Sequence, residues 1–138
     1  MSVDIKSLRI GSHILVDGKR VRVMAIDALN RMIGINAYQT DDNGVKHPFG
    51  YEIEEVEAIP IIPELLKELG FEFRKSAGGS WCISDKKGGY FYATVCSDST
   101  CVVTHYPDFG FQSRVVCTYL HELEAFAYLI SQTELISD

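Results

Sequence analysis

Hydrophobic and polar residues alternate in short runs over residues 12–62, which is the pattern of half-buried β-strands. Asp17–Gly18 separates two such runs, and this dipeptide favours the type I′ turn of a β-hairpin. A second turn is predicted at Asn43–Gly44, after the strand pattern of Arg31–Tyr38, and a last strand is expected over Tyr51–Val56. Four or five short strands with tight turns predict a small SH3-like β-barrel or rolled sheet.

Two prolines mark the end of this strand-rich part. Pro60 disfavours helix just before itself, and Pro63 suits the first position of a helix. We predict a short helix over Pro63–Leu69, with Gly70 at the position after its C-cap. The sequence thus predicts a β-barrel unit at 1–60 and an α+β unit at 61–138. Units of this size are marginally stable alone, so we expect them to pack on each other or on another copy.

The α+β unit is expected to contain an antiparallel meander followed by a helix. Turn signals at Gly78–Gly79, Lys86–Gly88 and Ser97–Ser99 separate its strands. A helix is predicted over Tyr119–Gln132, with Thr118 as N-cap, and it should cover one face of the meander. The fold class is therefore α+β. The predicted strands are Phe71–Lys75, Trp81–Asp85, Gly89–Cys96 and Cys101–Tyr106.

The strand at residues 89–96 has two different faces. Phe91, Ala93 and Val95 share one face, which we expect to lie under the helix. The other face carries tyrosines, which are enriched at protein interfaces because they bury area at low entropic cost. This face is predicted either to bind another protein or to pack on the N-terminal unit. The predicted interface residues are Tyr90, Tyr92, Thr94, His105 and Tyr106.

The chain is acidic, with a net charge of −6. Seven basic and nine acidic residues give the part up to Pro60 a charge of −2, and six basic and ten acidic residues give the rest −4. Such a balance disfavours binding to a phosphate backbone. One local basic group is a candidate nucleic-acid patch, although it can also pair with the acidic run Glu52–Glu57 of the same unit. This patch consists of Arg9, Lys19, Arg20 and Arg22.

The cysteines and histidines give no motif for a metal or a cofactor. None of the four cysteines forms a C-x-x-C pair, so structural zinc is not indicated and free thiols are expected. His121 is expected at an exposed or rim position in the first turn of the last helix. The residue four positions later is Ala125, which excludes the two-histidine spacing of a helical zinc site. No cofactor is predicted, and a catalytic Cys/His pair using His105 or His121 is a remote alternative.

No stretch of the sequence approaches the ~20 apolar residues of a membrane-spanning helix. Residues 1–6 contain no apolar segment of the kind found in an export signal. We therefore expect a cytoplasmic protein without membrane contact.

Three segments together resemble a family of short uncharacterised bacterial proteins associated with prophages and other mobile elements. They are Leu8–Gly11 (LRIG), Ile59–Phe71 (IPIIPELLKELGF) and Tyr119–Phe126 (YLHELEAF). The resemblance spans most of the chain, and residues 76–113 depart most from the family pattern. It implies a phage or mobile-element context and brings no established activity or catalytic residue.

These patterns lead to three hypotheses of function. The first is a non-enzymatic accessory protein of a phage-like element that binds protein, or itself, through the tyrosine-bearing face. The second is nucleic-acid binding through the basic patch of the N-terminal unit. The third is a small enzyme with a Cys/His pair.

Overall fold

A computed structural model describes residues 3–136, which form two compact units that divide between Ile59 and Pro60. Each unit contains a five-stranded antiparallel sheet, and an α-helix of twelve residues closes the second unit. The predicted α+β class is thereby confirmed. In the described part of the chain, no helix is long and apolar enough to cross a membrane.

The sheet of the first unit has the strand order β4-β3-β2-β1-β5. Its core consists of apolar side chains that are at most 1% exposed, including Ile14, Val23 and Ile33. Asp17 and Gly18 both have positive φ angles, 51° and 77°, as the predicted type I′ turn requires. The strands are β1 (His13–Val16), β2 (Lys19–Asp27), β3 (Met32–Thr40), β4 (Lys46–Glu52) and β5 (Val56–Glu57).

The predicted last strand over Tyr51–Val56 is two strands separated by a 3₁₀ turn at Ile53–Glu55. Glu55 accepts a hydrogen bond of 2.9 Å from the backbone N–H of Glu52, which stabilises the start of this turn. The turn sends the chain across the sheet, so that β5 pairs with β1 at the edge opposite to β4. Because β4 and β5 are both edge strands, the first unit is an open five-stranded antiparallel sheet, and its SH3-like character stays a prediction.

The second unit begins with a short helix and continues as a meander of order β10-β9-β8-β7-β6 with a C-terminal helix. Three of the four predicted strands differ from the structure by one residue at each end, and the one at Cys101–Tyr106 is unchanged. The elements are α1 (Pro63–Glu68), β6 (Glu72–Arg74), β7 (Ser80–Ser84), β8 (Tyr90–Val95), β9 (Cys101–Tyr106), β10 (Ser113–Cys117) and α2 (Leu120–Ser131).

Gly70 ends α1 as predicted. Its φ angle is +100°, and its N–H donates to Lys67 O at 3.1 Å. The N–H of Phe71 donates to Leu66 O at 2.9 Å, so the two bonds form a Schellman motif. This termination turns the chain directly into β6.

The N-cap of α2 lies one residue later than predicted. Tyr119, not Thr118, is the N-cap, since its backbone is extended and Glu122 occupies the third helical position after it. Glu122 Oε1 accepts the backbone N–H groups of both Thr118 and Tyr119 at 3.0 Å. The expectation of an exposed or rim position for His121 is wrong: only 2% of this residue is exposed, and its ring stacks parallel to that of Tyr119 at 6.0 Å. Burial lowers the pKa of His121, which favours its neutral form.

Candidate functional site

The pairing of the meander assigns each side chain to one of its two faces. Phe91 lies opposite His105, and Ala93 lies opposite Val103, so these four residues share one face. The ring of Phe91 contacts that of Phe126 in α2 at 6.1 Å, which shows that α2 covers this face. We call it the helix face, and we call the opposite face of the same strands the open face.

The open face contains a groove of about 630 Å³ that extends over four neighbouring strands. All of its lining residues belong to the second unit. They combine aromatic rings, hydroxyl groups and one guanidinium group, and are Ser80, Tyr90, Tyr92, Thr94, Val102, Thr104, Tyr106 and Arg114. Four of the five predicted interface residues are therefore brought together here.

Two contacts hold the groove in shape without help from a ligand. The rings of Tyr92 and Tyr106 meet edge to face, with centroids 5.2 Å apart and an angle of 89° between their planes. The hydroxyl groups of Ser80 and Thr94 lie 2.7 Å apart and hydrogen-bond each other. The nearby Cys82 thiol, by its charge when ionised and by a hydrogen bond, raises the pKa of Tyr92. Its phenol therefore stays protonated at neutral pH.

Arg114 supplies the positive charge of the groove. Its Nε donates to Thr104 Oγ1 at 3.3 Å, and it forms no ion pair with any residue that the structure describes. The other arginine of this face, Arg74, forms an ion pair. Its Nη2 lies 3.5 Å from Oε2 of Glu72, which is two residues earlier in β6. The groove is thus a tyrosine-lined surface with an uncompensated guanidinium group at one side.

The fifth predicted interface residue, His105, does not belong to the open face. It is 4% exposed on the helix face, where its ring packs against Phe91 at 4.6 Å. Its Nε2 lies 2.7 Å from Asp85 Oδ2, and both side chains are almost completely buried. The alternation along β9 places His105 and Tyr106 on opposite faces, so only Tyr106 joins the tyrosines.

Asp85 organises the turn between β7 and β8. Its Oδ1 accepts the backbone N–H groups of Lys87 at 2.8 Å and Gly89 at 2.7 Å. Burial raises the pKa of Asp85, but the hydrogen bonds from His105, Lys87 and Gly89 lower it more, so the net shift is downward. The carboxylate is therefore ionised, and His105 Nε2–H donates to it.

A smaller cavity of about 300 Å³ adjoins this pair and is also lined by Ser131. Serine, histidine and aspartate are the side chains of a hydrolase triad, but Ser131 Oγ donates to Ala127 O at 3.2 Å and bonds Thr133 Oγ1 at 2.6 Å. His105 makes no hydrogen bond to Ser131 or to a thiol in the described part of the chain. The nucleophile–base contact of a triad or of a Cys/His pair is thus not formed at His105.

The four cysteines are free. Cys101 and Cys117 are directly opposite each other on β9 and β10, both are at most 2% exposed, and their thiols interact. The hydrogen bond between them lowers the pKa of Cys101 and raises that of Cys117, to which burial adds. Across residues 3–136 no group of three or more histidine, cysteine or acidic side chains is placed to hold a metal ion.

The structure places one residue of the predicted basic patch, Lys19, on a different face from Arg20 and Arg22. Lys19 and Arg20 are neighbours on β2, so their side chains point to opposite faces of the sheet. Arg20 and Glu57 both lie opposite Leu15, one on each side of β1, so the positive charge shares its face with a negative one. Arg9 and Arg22, with Arg20, take part in interactions within the molecule. Arg31 pairs with Glu54 at 3.1 Å.

The sequence prediction missed two important parts of the second unit. It left Ser113–Cys117 without a strand, and so did not include Arg114 in the groove, although a run of β-branched residues (RVVCT) after Gly110 is a strand signal. It also missed the Asp85–His105 pair. An aspartate that precedes a turn of the form K-K-G-G is a signal for side-chain bonds to the turn backbone, which is the role of Asp85.

Comparison with protein-family models, with curated proteins and with solved structures gave no match.

Proposed function

We propose that the second unit is a protein-binding module and that the groove of its open face binds an extended segment of another protein. The main support is the exposure of aromatic rings in a preformed depression: Tyr90 and Tyr106 are 46% and 39% exposed in a groove of about 630 Å³. Tyrosine and arginine are, with tryptophan, the side chains enriched at binding hot spots. The mobile-element context remains a prediction from the resemblance and agrees with an accessory, non-enzymatic role.

The composition of the groove also indicates what its ligand contains. The tyrosine rings favour an apolar or aromatic side chain, and the threonine hydroxyls can bond a peptide backbone. Arg114, which has no ion pair among the described residues, favours a carboxylate because its fork geometry matches the two carboxylate oxygens. A peptide with an aromatic or aliphatic residue near an acidic one fits these features best.

Peptide selection followed by a binding titration tests this proposal. The full chain is immobilised, a random peptide library is selected on it, and the affinities of the enriched peptides are measured by fluorescence anisotropy. The double variant Tyr90→Ala/Tyr106→Ala is expected to raise Kd at least about tenfold, which equals about 1.4 kcal/mol. The matched control is Tyr38→Ala, which removes a tyrosine of similar exposure, 50%, from the first unit.

Four results decide whether the proposal stands. Enriched peptides that contain an acidic residue and bind more weakly to Arg114→Gln support the proposed ligand. Peptides whose affinity is unchanged by the double variant contradict the proposal, as does the absence of any enriched peptide. Tighter binding of mixed-sequence RNA than of peptide, lost in the double variant, also contradicts it, because aromatic rings on a sheet can stack bases.

A further inference from the structure

The two edge strands of the second sheet differ in how well they are protected from pairing. At one edge, β6 has only three residues, all exposed, and two of them are charged. At the other edge, β10 has five residues and one charge, and Val116 is 60% exposed. Natural sheets protect their edges by short strands and charged residues, because an open edge is a template for another strand. The edge at β10 lacks this protection.

The hydrogen-bond pattern shows which backbone groups of β10 are open. Cys96 N–H donates to Thr100 O, so the even-numbered residues of β8 and β9 form the hydrogen-bonded pairs between those strands. The odd-numbered residues of β9 therefore bond β10, through Ser113, Val115 and Cys117. It follows that the N–H and C=O groups of Arg114 and Val116 point away from the sheet.

A bond beyond the end of the strand supports this direction. Thr118 is the next even-numbered residue, and its C=O accepts from Ile61 N–H on the outer side at 2.9 Å. Among the described residues, no strand pairs with β10 on that side between Ser113 and Val116. The segment at Ile61 thus marks where the open part of the edge ends.

We propose that this edge pairs with β10 of a second copy of the chain, in antiparallel orientation, about a two-fold axis at Val115. In this register Arg114 of one copy lies opposite Val116 of the other. These two residues exchange both of their backbone hydrogen bonds, and the symmetry repeats the pair. The inference does not depend on what the groove binds.

The neighbouring symmetric registers are less favourable for two separate reasons. Shifting the axis to Arg114 places the two guanidinium groups directly opposite each other, and like charges at such positions are destabilising. Shifting it to Val116 places Arg114 opposite Thr118, whose C=O already accepts from Ile61. The register about Val115 is the symmetric arrangement that uses every open group and opposes no like charges.

The same arrangement covers an exposed apolar side chain of β10. Val116 is 60% exposed, and in this register it lies beside Arg114 of the second copy. The pairing ends before Thr118, because Pro60 and Ile61 of the same chain occupy the outer side of Thr118 and Tyr119. A two-fold axis perpendicular to the sheet also keeps both open faces on the same side, so the two grooves become parts of one surface.

A charge substitution on the full chain tests the pairing. Sedimentation over a concentration series is expected to show a reversible dimer. Val116→Lys places a cation opposite Arg114 of the second copy and should raise the dimer Kd at least about tenfold. Val116→Glu is its matched control, since it loses the same apolar group but places a carboxylate opposite Arg114, and its Kd should be lower than that of the lysine variant. Circular dichroism of both variants confirms that they fold.

Cross-linking gives a second test that does not depend on affinity. In the proposed register the two Val115 residues form a non-hydrogen-bonded pair, whose Cα atoms are ~4.5 Å apart, so Val115→Cys should oxidise to a disulfide-linked dimer. Peptide mass spectrometry identifies the linkage, and Glu72→Cys at the protected edge should remain monomeric. A wild-type chain that is monomeric at all concentrations overturns the pairing while the groove proposal stands. Equal dissociation of both Val116 variants, or equal cross-linking at both edges, also overturns it.

Discussion

The two faces of the second sheet are built from the same strands but differ in almost every physical property. On the helix face, Phe91, Ala93 and Val103 are at most 1% exposed, and a buried aspartate–histidine pair closes the end of the sheet. On the open face, Tyr90 and Tyr106 keep 46% and 39% of their surface in water. Neighbouring side chains of one strand thus have different roles: one is buried in the core of the unit, and the next is exposed and can contact a partner. Substitutions on the helix face, at the buried pair and on the open face test this division.

Phe91→Ala should be the most damaging of these substitutions. The side chain is 1% exposed and packs against Phe126 and His105, so its removal leaves a cavity between the sheet and α2. A loss of about 3–5 kcal/mol in the free energy of unfolding is expected. Urea denaturation monitored by circular dichroism measures it. The adjacent Tyr92→Ala should cost much less, and equal losses would refute a division between the faces.

Gly89→Ala tests the close packing around Asp85. A Cβ at this position would lie 2.5 Å from Tyr106 O and 2.7 Å from Asp85 Oδ2, so the backbone has to move. We expect a loss of about 2–3 kcal/mol, the upper part of the range of overpacked cores because backbone atoms are displaced, in the same denaturation experiment. The control is Gly50→Ala, whose nearest contact would be the flexible end of Met32 at 3.6 Å. A tolerated Gly89 variant would show that the turn is loosely held.

Asp85→Asn keeps the shape of the side chain but removes its charge. Because the pair with His105 is buried and charge-assisted, a loss of about 1.5–3 kcal/mol is expected at neutral pH. The pKa of Asp85 is lower in the folded state than in the unfolded chain. Its carboxylate therefore stabilises the fold above its unfolded-state pKa, and this stabilisation is lost as the pH falls through its folded-state pKa. The stability of the wild type should therefore fall more steeply than that of the variant below about pH 4. Free energies of unfolding that fall with the same slope in the wild type and in Asp85→Asn would contradict this.

His121 should give a smaller effect in a different pH range. Burial lowers its pKa, so between the folded and unfolded pKa values the unfolded chain binds the proton more strongly. Stability should decline as the pH falls below the ordinary histidine value of about 6.5. Thermal unfolding at intervals from pH 7.5 to 5.5 measures the slope. His121→Phe should reduce this dependence of stability on pH. A slope that the substitution leaves unchanged would show that another titrating group causes it.

Much of the second unit follows from local patterns. Turn glycines separate its strands, alternation in Tyr90–Val95 distinguishes its two faces, and Gly70 ends α1 with a positive φ angle. These features depend on neighbours in sequence, for which periodicity and turn chemistry are sufficient. The placement of Tyr90, Tyr92 and Thr94 on one face could therefore be predicted.

The remaining features depend on partners that are distant in sequence. The pair of Asp85 with His105 spans twenty positions, and nothing local to His105 indicates a buried carboxylate. The chain path after β4 depends on Ile53 entering the core, where it is 1% exposed, so that one predicted strand becomes two on opposite edges. Arg114 reaches the groove only because β10 pairs with β9. Tertiary pairing of this kind is not encoded in a single window of sequence.

The most direct test of the division between the two faces combines stability and binding in one variant. Tyr90→Ala/Tyr106→Ala removes two exposed rings of the groove. Its free energy of unfolding in urea and its affinity for the selected peptides are measured on the same preparation. We predict a free energy of unfolding within about 1 kcal/mol of the wild type, as for surface substitutions, and a Kd that rises at least about tenfold. A variant that unfolds like Phe91→Ala, or one that binds peptide as tightly as the wild type, would contradict the account.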